Sequence, residues 1–284
     1  MKVDLNVRDF LDRAEVVYPD RVAIVDEPDQ PAPSWGAITQ RELAQRARNQ
    51  AAALDRLGVE PGARVAMVSH NAARLLTSLY GVSGWGRIFV PINFRLAAAE
   101  VRYIVDHCGA DVLMVDPELE DVLSTVTAKH RFVVGDEMDA EIFGVGETTQ
   151  AWEPRAWEPD EDATAVINYT SGTTARPKGV EQTHRALWLN ASVFGWQAGV
   201  NDRDVYLHTL PMFHCNGWGM PYGATGMGVP QVVLRKVDGE EILRRIEAHG
   251  ITYLCGAPAV VSMVLDAAAT WDGPIPGAGR TRII

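Results

Sequence analysis

Short apolar runs alternate with helical patterns along most of the chain. Three of these runs, Arg64–Ser69, Ile88–Ile92 and Asp111–Val115, have the length and composition of strands. Between them, Ala72–Trp85 and Ala97–Cys108 carry apolar residues at helical spacing. Strands that alternate with helices indicate βαβ units. We therefore expect an α/β fold of stacked βαβ units, with largely parallel sheets flanked by helices.

Two further segments are predicted as helices. Ser34–Leu57 is amphipathic at helical spacing and is stopped by Gly58. Gly217–Met227 follows an irregular Gly-rich turn and is predicted as a second helix. The last residues, Arg280–Ile284, have the pattern of a strand that is just beginning.

Residues 135–162 interrupt the alternation. They are acidic, contain Trp and Pro, and carry the string AWEP twice, at Ala151–Pro154 and Ala156–Pro159. Two copies of four residues are too short for a repeat architecture. We expect residues 135–162 to be a surface linker between approximate subdomains 1–134 and 163–284.

Composition excludes some classes of protein. The chain has 284 residues, 47% of them hydrophobic, and a formal net charge of -11. This acidic balance argues against nucleic acid as a partner, because phosphate backbones require a basic surface. The most apolar stretch, Leu75–Ile92, is broken by three glycines and Arg87, so we expect no transmembrane segment. Three cysteines without CxxC spacing favour reduced thiols and a cytoplasmic location.

The segment Tyr169–Val180, YTSGTTARPKGV, has the chemistry of a phosphate-binding loop. Its hydroxyl groups donate to phosphate oxygens, its glycines allow close backbone approach, and Lys178 adds positive charge. It is not the usual P-loop, because Lys178 follows Gly172 by six residues and no glycine directly precedes it. On composition alone, a polar surface loop between strands remains an alternative.

The whole string resembles the signature loop of the adenylate-forming superfamily, which includes acyl-CoA synthetases, aryl-CoA ligases, luciferases and the adenylation domains of peptide synthetases. That loop commonly has the pattern [YF]-[TS]-[ST]-G-[TS]-T-G-x-P-K-G-V, and eleven of the twelve positions fit. The departure is Ala175, where the family usually has Gly. If this position needs a positive φ, Ala costs on the order of 1 kcal/mol.

Other segments extend the resemblance over nearly the entire chain. Thr39–Leu43 is similar to the T-x-x-E-L helix start of the superfamily, and Gly62–His70 and Val90–Leu96 are similar to two of its strands. Leu210–Gly219 (LPMFHCNGWG) and Thr252–Pro258 (TYLCGAP) resemble segments at its acyl pocket. Together with LRKVD, these motifs look most like bacterial and plant acyl-activating enzymes for short- to medium-chain or thioether acids.

The resemblance implies an AMP-forming carboxylic acid–CoA ligase. ATP and the acid give an acyl-adenylate and pyrophosphate in the presence of Mg²⁺, and coenzyme A then takes the acyl group while AMP leaves. By resemblance, His214 is the catalytic candidate and Thr170 touches Mg²⁺. The implied phosphate-binding residues are Thr170, Ser171, Gly172, Thr173, Thr174 and Lys178. The implied acyl-binding residues are His214, Asn216, Gly217, Trp218, Gly256, Ala257 and Pro258.

The superfamily pattern continues with a G-G-A-P turn, a Y-G-x-T-E motif, a ribose-binding aspartate, a hinge and a small C-terminal domain with the catalytic lysine. This sequence contains none of them, so the resemblance predicts a truncated N-terminal AMP-binding domain (1–284) without the C-terminal lid domain. We expect these residues alone not to complete thioester formation, and to self-associate, for example as a homodimer, through exposed core surface. Two alternatives remain open: a split or degenerate protein that binds a nucleotide or an acyl group without catalysis, and an unrelated nucleotide-binding module.

Overall fold

Twelve strands form two six-stranded sheets in the computed structural model, which describes residues 3–146, 150–170 and 176–284. The first six strands are β1 Val22–Val25, β2 Ala37–Thr39, β3 Arg64–Val68, β4 Ile88–Ile92, β5 Ala110–Val115 and β6 His130–Val133. The other six are β7 Thr164–Thr170, β8 Lys178–Thr183, β9 Tyr206–His208, β10 Gln231–Val233, β11 Tyr253–Leu254 and β12 Arg282–Ile283.

Helices connect most of these strands. The first six are α1 Arg8–Val17, α2 Gln40–Arg56, α3 Ala73–Gly81, α4 Ala98–Cys108, α5 Glu120–Leu123 and α6 Asp136–Met138. The next five are α7 His184–Gln197, α8 Cys215–Trp218 (a single left-handed turn), α9 Met220–Gly226, α10 Gly239–His249 and α11 Pro258–Ala269. Short 3₁₀ turns lie at Ser83–Trp85 and Pro117–Leu119, and a π-turn lies at Asp139–Phe143.

The strand orders confirm the predicted α/β fold. Sheet I has the order β12-β11-β9-β10-β1-β2, and sheet II has the order β6-β5-β3-β4-β7-β8. In each sheet the pairs are parallel except one: β1 with β2 in sheet I, and β7 with β8 in sheet II. Parallel strands place their carboxyl ends along one edge of a sheet, which is where ligands bind in open α/β folds.

The two sheets face each other across a central helical layer. Leu43 of α2 shares one buried cluster with Ile24 and Val233 of sheet I and with Met67 and Phe89 of sheet II. Because all five side chains are at most 1% exposed, the two sheets and this layer form one continuous core.

The outer faces of the sheets are covered by other helices. Helix α4 places Ile104 on the outer face of sheet II beside Val68, and helix α10 places Ile242 on sheet I beside Leu207. The result is five alternating layers of helix and sheet, in which the apolar strands are buried on both faces, as parallel sheets require.

The predicted helix Ser34–Leu57 begins later than expected. Ala37–Thr39 within this segment form β2, and helix α2 begins at Gln40, directly after a capping box at Thr39. The Thr39 hydroxyl accepts from the Glu42 N–H at 3.2 Å, and the Glu42 carboxylate accepts from the Thr39 N–H at 2.7 Å. Two otherwise unpaired donors are satisfied in this way, which fixes the start of the helix.

Part of the expected surface linker, residues 135–162, is buried. Met138, Ile142 and Phe143 are at most 2% exposed and belong to the central core. The Asp139 carboxylate accepts from the Arg74 guanidinium Nε at 2.7 Å, inside that core. Residues 150–162 are exposed or half-buried.

The sheets also do not follow the expected subdomains 1–134 and 163–284. Strands β1 and β2 lie in sheet I with β9–β12, whereas β7 and β8 lie in sheet II with β3–β6. Each sheet therefore contains strands from both sides of the expected linker, because the apolar strand faces find their partners across the chain and not within one half of it.

Candidate active site

The signature loop connects the two strands of an antiparallel hairpin. Strand β7 ends at Thr170, opposite Lys178, where strand β8 begins. Strand β7 is also paired in parallel with β4, so the loop leaves sheet II at the carboxyl end of a parallel strand. Thr170 is half-buried, whereas Arg176 and Lys178 are exposed. A hydroxyl side chain and two cationic side chains therefore lie at this end of the hairpin.

Four predicted phosphate-binding residues, Ser171, Gly172, Thr173 and Thr174, lie outside the described residues. The unusual Ala175 does too. The hairpin geometry accordingly concerns Thr170 and Lys178, the two predicted residues that flank this segment.

The LPMFHCNGWG segment contains an unusual left-handed turn. Five consecutive residues have positive φ: Cys215 at 46°, Asn216 at 48°, Gly217 at 58°, Trp218 at 61° and Gly219 at 77°. This conformation costs about 1–2 kcal/mol for each residue that is not glycine. Helix α9 starts only at Met220, so the predicted helix 217–227 begins three residues later than expected. Strained backbone of this kind concentrates at functional sites.

The side chains at the left-handed turn differ in their exposure to solvent. His214 and Cys215 are exposed, with the Cys215 Sγ 3.9 Å from the His214 Nε2. Trp218 is 38% exposed and its ring meets the Phe194 ring edge-on at 5.8 Å. Asn216 is 0% exposed, so its side chain holds the turn and does not face solvent.

Hydrogen bonds join the left-handed turn to the loop hairpin. The side-chain amide of Asn168 on β7 donates to the Phe213 carbonyl at 3.1 Å and to the Asn216 side-chain oxygen at 3.3 Å. The Asn216 amide in turn donates to the Gln182 side-chain oxygen on β8 at 2.8 Å. The two motifs, more than forty residues apart in sequence, are thus one hydrogen-bonded unit.

The third group of predicted site residues, Gly256 to Pro258, lies at the carboxyl edge of sheet I. Gly256 and Ala257 follow β11, and Pro258 is the first residue of α11. The Thr209 hydroxyl, one residue after β9, donates to the Cys255 carbonyl. Because β9 and β11 are parallel neighbours, their carboxyl ends bring Leu210 and Gly256 to one side of the sheet.

Asn71 is a site residue that the sequence did not single out. It follows β3 of sheet II, yet its amide donates to the Leu210 carbonyl at 2.9 Å, and its side-chain oxygen accepts from the Met212 N–H at 2.9 Å. Asn71 thereby fastens the LPMFH segment of sheet I to sheet II. An asparagine two residues beyond a predicted strand, in VSHN, is its only signal in the sequence.

A buried ion cluster joins the two sheets beside Asn71. Arg235, after β10, donates to both carboxylate oxygens of Asp116, after β5, at 2.8 Å. It also donates to Glu118 at 2.8 Å. Burial raises the pKa of Asp116, but the hydrogen bonds from Arg235 outweigh it and lower this pKa below its usual value. Because its donors are engaged by two carboxylates, Arg235 is a bridge between the sheets.

A cavity of about 370 Å³ opens between this ion cluster and the LPMFH segment. The His70 ring stacks on the Phe94 ring with centroids 3.7 Å apart, and Arg95 and Pro211 also line the cavity. Burial, and next the Arg235 charge, lower the pKa of His70, so its imidazole is neutral at pH 7. The cleft between the carboxyl ends of the two sheets therefore combines apolar and aromatic walls with cationic groups.

An α/β fold with two facing sheets, the signature loop between β7 and β8 and an adjoining aromatic cleft is the arrangement expected of the adenylate-forming class. Comparison with known families agrees: the profile described as AMP-binding enzyme matches residues 11–277. The chain belongs to this family.

Named relatives are carboxylic acid–CoA ligases. The chain is 32% identical over 286 residues to the peroxisomal acetate/butyrate–CoA ligase AAE7 of Arabidopsis thaliana, covering 91% of this chain and 48% of that protein. It is 34% identical over 268 residues to the long-chain-fatty-acid–CoA ligase of Thermus thermophilus, covering 92% of this chain and 49% of that protein. The chain thus spans about half the length of the curated relatives it matches.

Solved structures share the fold. The inhibitor-bound N-terminal domain of FACL13 from Mycobacterium tuberculosis superposes with a TM-score of 0.83 at 28% identity, over 96% of this chain and 68% of that one. The long-chain-fatty-acid–CoA ligase FadD1 of Archaeoglobus fulgidus gives a TM-score of 0.83 at 25% identity, over 95% of this chain and 55% of that one.

Within 3–146, 150–170 and 176–284, no helix is long and apolar enough to cross a membrane. The same residues contain no group of three or more His, Cys, Asp or Glu side chains arranged to hold a metal ion.

Proposed function

We propose that these residues form the phosphate-binding and acyl-binding part of an AMP-forming carboxylic acid–CoA ligase. The observation that carries the proposal is the contact between the two signature motifs. Asn168, on the strand that leads into the phosphate loop, donates to Phe213 and to Asn216 in the LPMFHCNGWG segment. An enzyme that joins a carboxylate to ATP must hold the triphosphate and the acid side by side, and this contact supports that arrangement.

In the first half-reaction, a carboxylate oxygen of the acid forms a bond to the α-phosphorus of ATP while the bond to pyrophosphate breaks. Lys178 and the loop hydroxyls, including that of Thr170, are proposed to bind the β- and γ-phosphates and to neutralise the charge that develops on the leaving pyrophosphate. Mg²⁺ is proposed to enter with the triphosphate, with the Thr170 hydroxyl as its protein ligand, since this ion keeps waters and phosphate oxygens around it.

The acyl group is proposed to lie against the exposed side of the left-handed turn. His214 and Trp218 offer an imidazole and an indole there, and Gly256 to Pro258 lie at the carboxyl end of the neighbouring strands. We assign the buried Asn216 to holding the turn and not to touching the acid. In the second half-reaction, the thiol of coenzyme A bonds to the acyl carbon and AMP leaves.

We further propose a short- to medium-chain acid as the substrate and a reducing compartment such as the cytoplasm. The substrate proposal is supported by relatives named for acetate, butyrate and 2-methylpropanoate. The location is supported by Cys108, Cys215 and Cys255, which are free thiols.

Equilibrium binding of Mg-ATP tests the phosphate site. Lys178→Ala should weaken binding about tenfold or more, because a charge-assisted hydrogen bond contributes about 1.5–3 kcal/mol. Lys129→Ala is the matched control, since Lys129 is equally exposed but lies just before β6, at the far edge of sheet II from the hairpin. Equal affinities for the wild type and Lys178→Ala would refute the phosphate site.

Acid-dependent exchange of labelled pyrophosphate into ATP tests the adenylation step. Acetate, butyrate, 2-methylpropanoate and benzoate form a suitable first series, each with and without coenzyme A. ATP turnover that is the same with and without an acid would contradict a ligase and favour another ATP-dependent reaction.

A further inference from the structure

Both ends of the signature loop contact helix α4. At the end of β7, the Tyr169 hydroxyl lies 2.7 Å from the His107 Nδ1. Two residues before β8, the Arg176 guanidinium lies over the Tyr103 ring, 5.7 Å from its centroid. The Tyr103 and His107 rings are themselves 5.3 Å apart. One helix face therefore touches the first residue of the signature loop and a second loop residue close to Lys178.

The spacing of the two aromatic residues explains this double contact. Tyr103 and His107 are four residues apart, which places them on one side of α4, one turn above the other. Tyr103 is half-buried and packs against the apolar cluster that covers sheet II, and His107 is exposed. Both side chains contact the signature loop: His107 contacts Tyr169, and Tyr103 contacts Arg176.

Helix α4 is a firm support for such contacts. Its opposite face buries Val101, Ile104 and Val105, each at most 3% exposed, in the cluster that covers sheet II. Gly109, with φ of 61°, ends the helix directly after Cys108. A side chain on a helix fixed in this way holds its partner more accurately than one on a loop.

The Tyr169 phenol remains protonated over the physiological range of pH. Burial, and next the Cys108 thiol, raise the pKa of Tyr169 well above its usual value, so the phenol keeps its proton. The Tyr169 ring also meets the His107 ring edge-on, with centroids 5.8 Å apart. The hydroxyl and the ring of Tyr169 are thus both held by one histidine.

We propose that Tyr103 and His107 are positioning residues for the signature loop: His107 holds Tyr169, its first residue, and Tyr103 holds Arg176, two residues before Lys178. This inference rests on the proposed function, because it assigns the two side chains to ATP affinity. Neither residue needs to touch the nucleotide. Holding both loop ends before the ligand arrives reduces the ordering that binding would otherwise require.

The first test is a double-mutant cycle on Mg-ATP affinity. His107→Ala and Tyr169→Phe each remove one side of the same hydrogen bond, so each should raise the Kd about fivefold, the equivalent of about 1 kcal/mol. The double variant should bind no more weakly than either single variant, because the bond is lost only once. Additive losses would overturn the assignment of His107 to Tyr169.

Conservative replacements separate positioning from a general structural role. His107→Asn keeps a polar atom close to the position of Nδ1, so it should restore most of the ATP affinity. Tyr103→Phe keeps the ring under Arg176 and should bind as the wild type, whereas Tyr103→Leu should weaken binding about threefold, since cation–π contacts at exposed sites contribute about 0.5–1 kcal/mol. Tyr169→Phe removes a single oxygen atom and carries the test if His107→Ala fails to fold.

The outcomes distinguish this inference from the proposed function. A wild type that fails to bind Mg-ATP would refute the phosphate site itself. A wild type that binds Mg-ATP, and a His107→Ala variant that is folded and binds it equally well, would overturn the positioning role and leave the phosphate site in place. Equal weakening by His107→Ala and His107→Asn would also overturn it, because the polar atom would then be irrelevant.

Discussion

Replacing Asn216 tests how the left-handed turn is stabilised. The Asn216 side chain is fully buried, donates to Gln182 at 2.8 Å and accepts from Asn168 at 3.3 Å. Losing two hydrogen bonds at about 1 kcal/mol each gives about 2 kcal/mol for Asn216→Gly. Asn216→Ala should lose about 3 kcal/mol, because alanine at φ of 48° adds about 1 kcal/mol of backbone strain that glycine avoids.

Urea unfolding at pH 7.5 measures both losses as changes in the free energy of unfolding. The difference between the alanine and glycine variants isolates backbone strain, because both lack the same hydrogen bonds. If the alanine variant is as stable as the glycine variant, the turn is not strained as described. If both variants lose less than about 0.5 kcal/mol, the link from Asn216 to the hairpin does not contribute to stability.

Two further predictions concern stability: its dependence on pH, and its response to alanine at two glycines. His184 is 0% exposed and burial lowers its pKa to about 4, so the unfolded state binds more protons below pH 6.5, and stability falls as pH falls. That residue alone should cost about 2 kcal/mol between pH 7.5 and pH 5. His184→Gln should flatten this part of a stability–pH curve, and an unchanged slope would contradict the assignment. Gly239→Ala would place a Cβ 2.2 Å from the Met263 carbonyl oxygen and should destabilise the protein by about 1–3 kcal/mol. Gly195→Ala, on helix α7 with nothing within 4 Å of the new Cβ, should stabilise it by about 0.5–1 kcal/mol. Thermal unfolding compares these two variants, and similar shifts of Tm for both would show that the Gly239 contact is not tight.

The sequence predicted elements best where local pattern and tertiary packing agree. Ile88–Ile92 has the predicted bounds of β4, because an apolar run buried on both faces is itself the strand signal. The start of α2 was missed because Ala37–Thr39 pairs with β1, a partner that a helical period cannot reveal. The core role of residues 136–143 was missed for a related reason. Their acidic composition is typical of a surface segment, yet the charge of the Asp139 carboxylate is neutralised by the buried Arg74.

The candidate site was likewise only partly predictable from the sequence. The motif residues Thr170, Lys178 and His214 were visible in the sequence, because each lies in a string with its own chemical character. The bonds that assemble the site were not visible, since Asn71 reaches Met212 across 141 positions and Asn168 reaches Phe213 across 45. Single asparagines carry no periodic signal, and their role becomes apparent only when the sheets are in place.

The exchange of strands between the two sheets has a consequence for synthesis on the ribosome. Ile24 of β1 pairs with Gln231 of β10, so an early strand of sheet I lacks this neighbour until about 200 more residues have been made. At 5–20 residues per second, that interval lasts roughly 10–40 s. Sheet II strands β3 to β6 pair with one another within residues 64–133 and can do so much earlier, before β7 joins β4. We therefore expect nascent chains to pass through a stage in which sheet II is formed while the β1–β2 hairpin is exposed, the stage at which chaperones would be most useful.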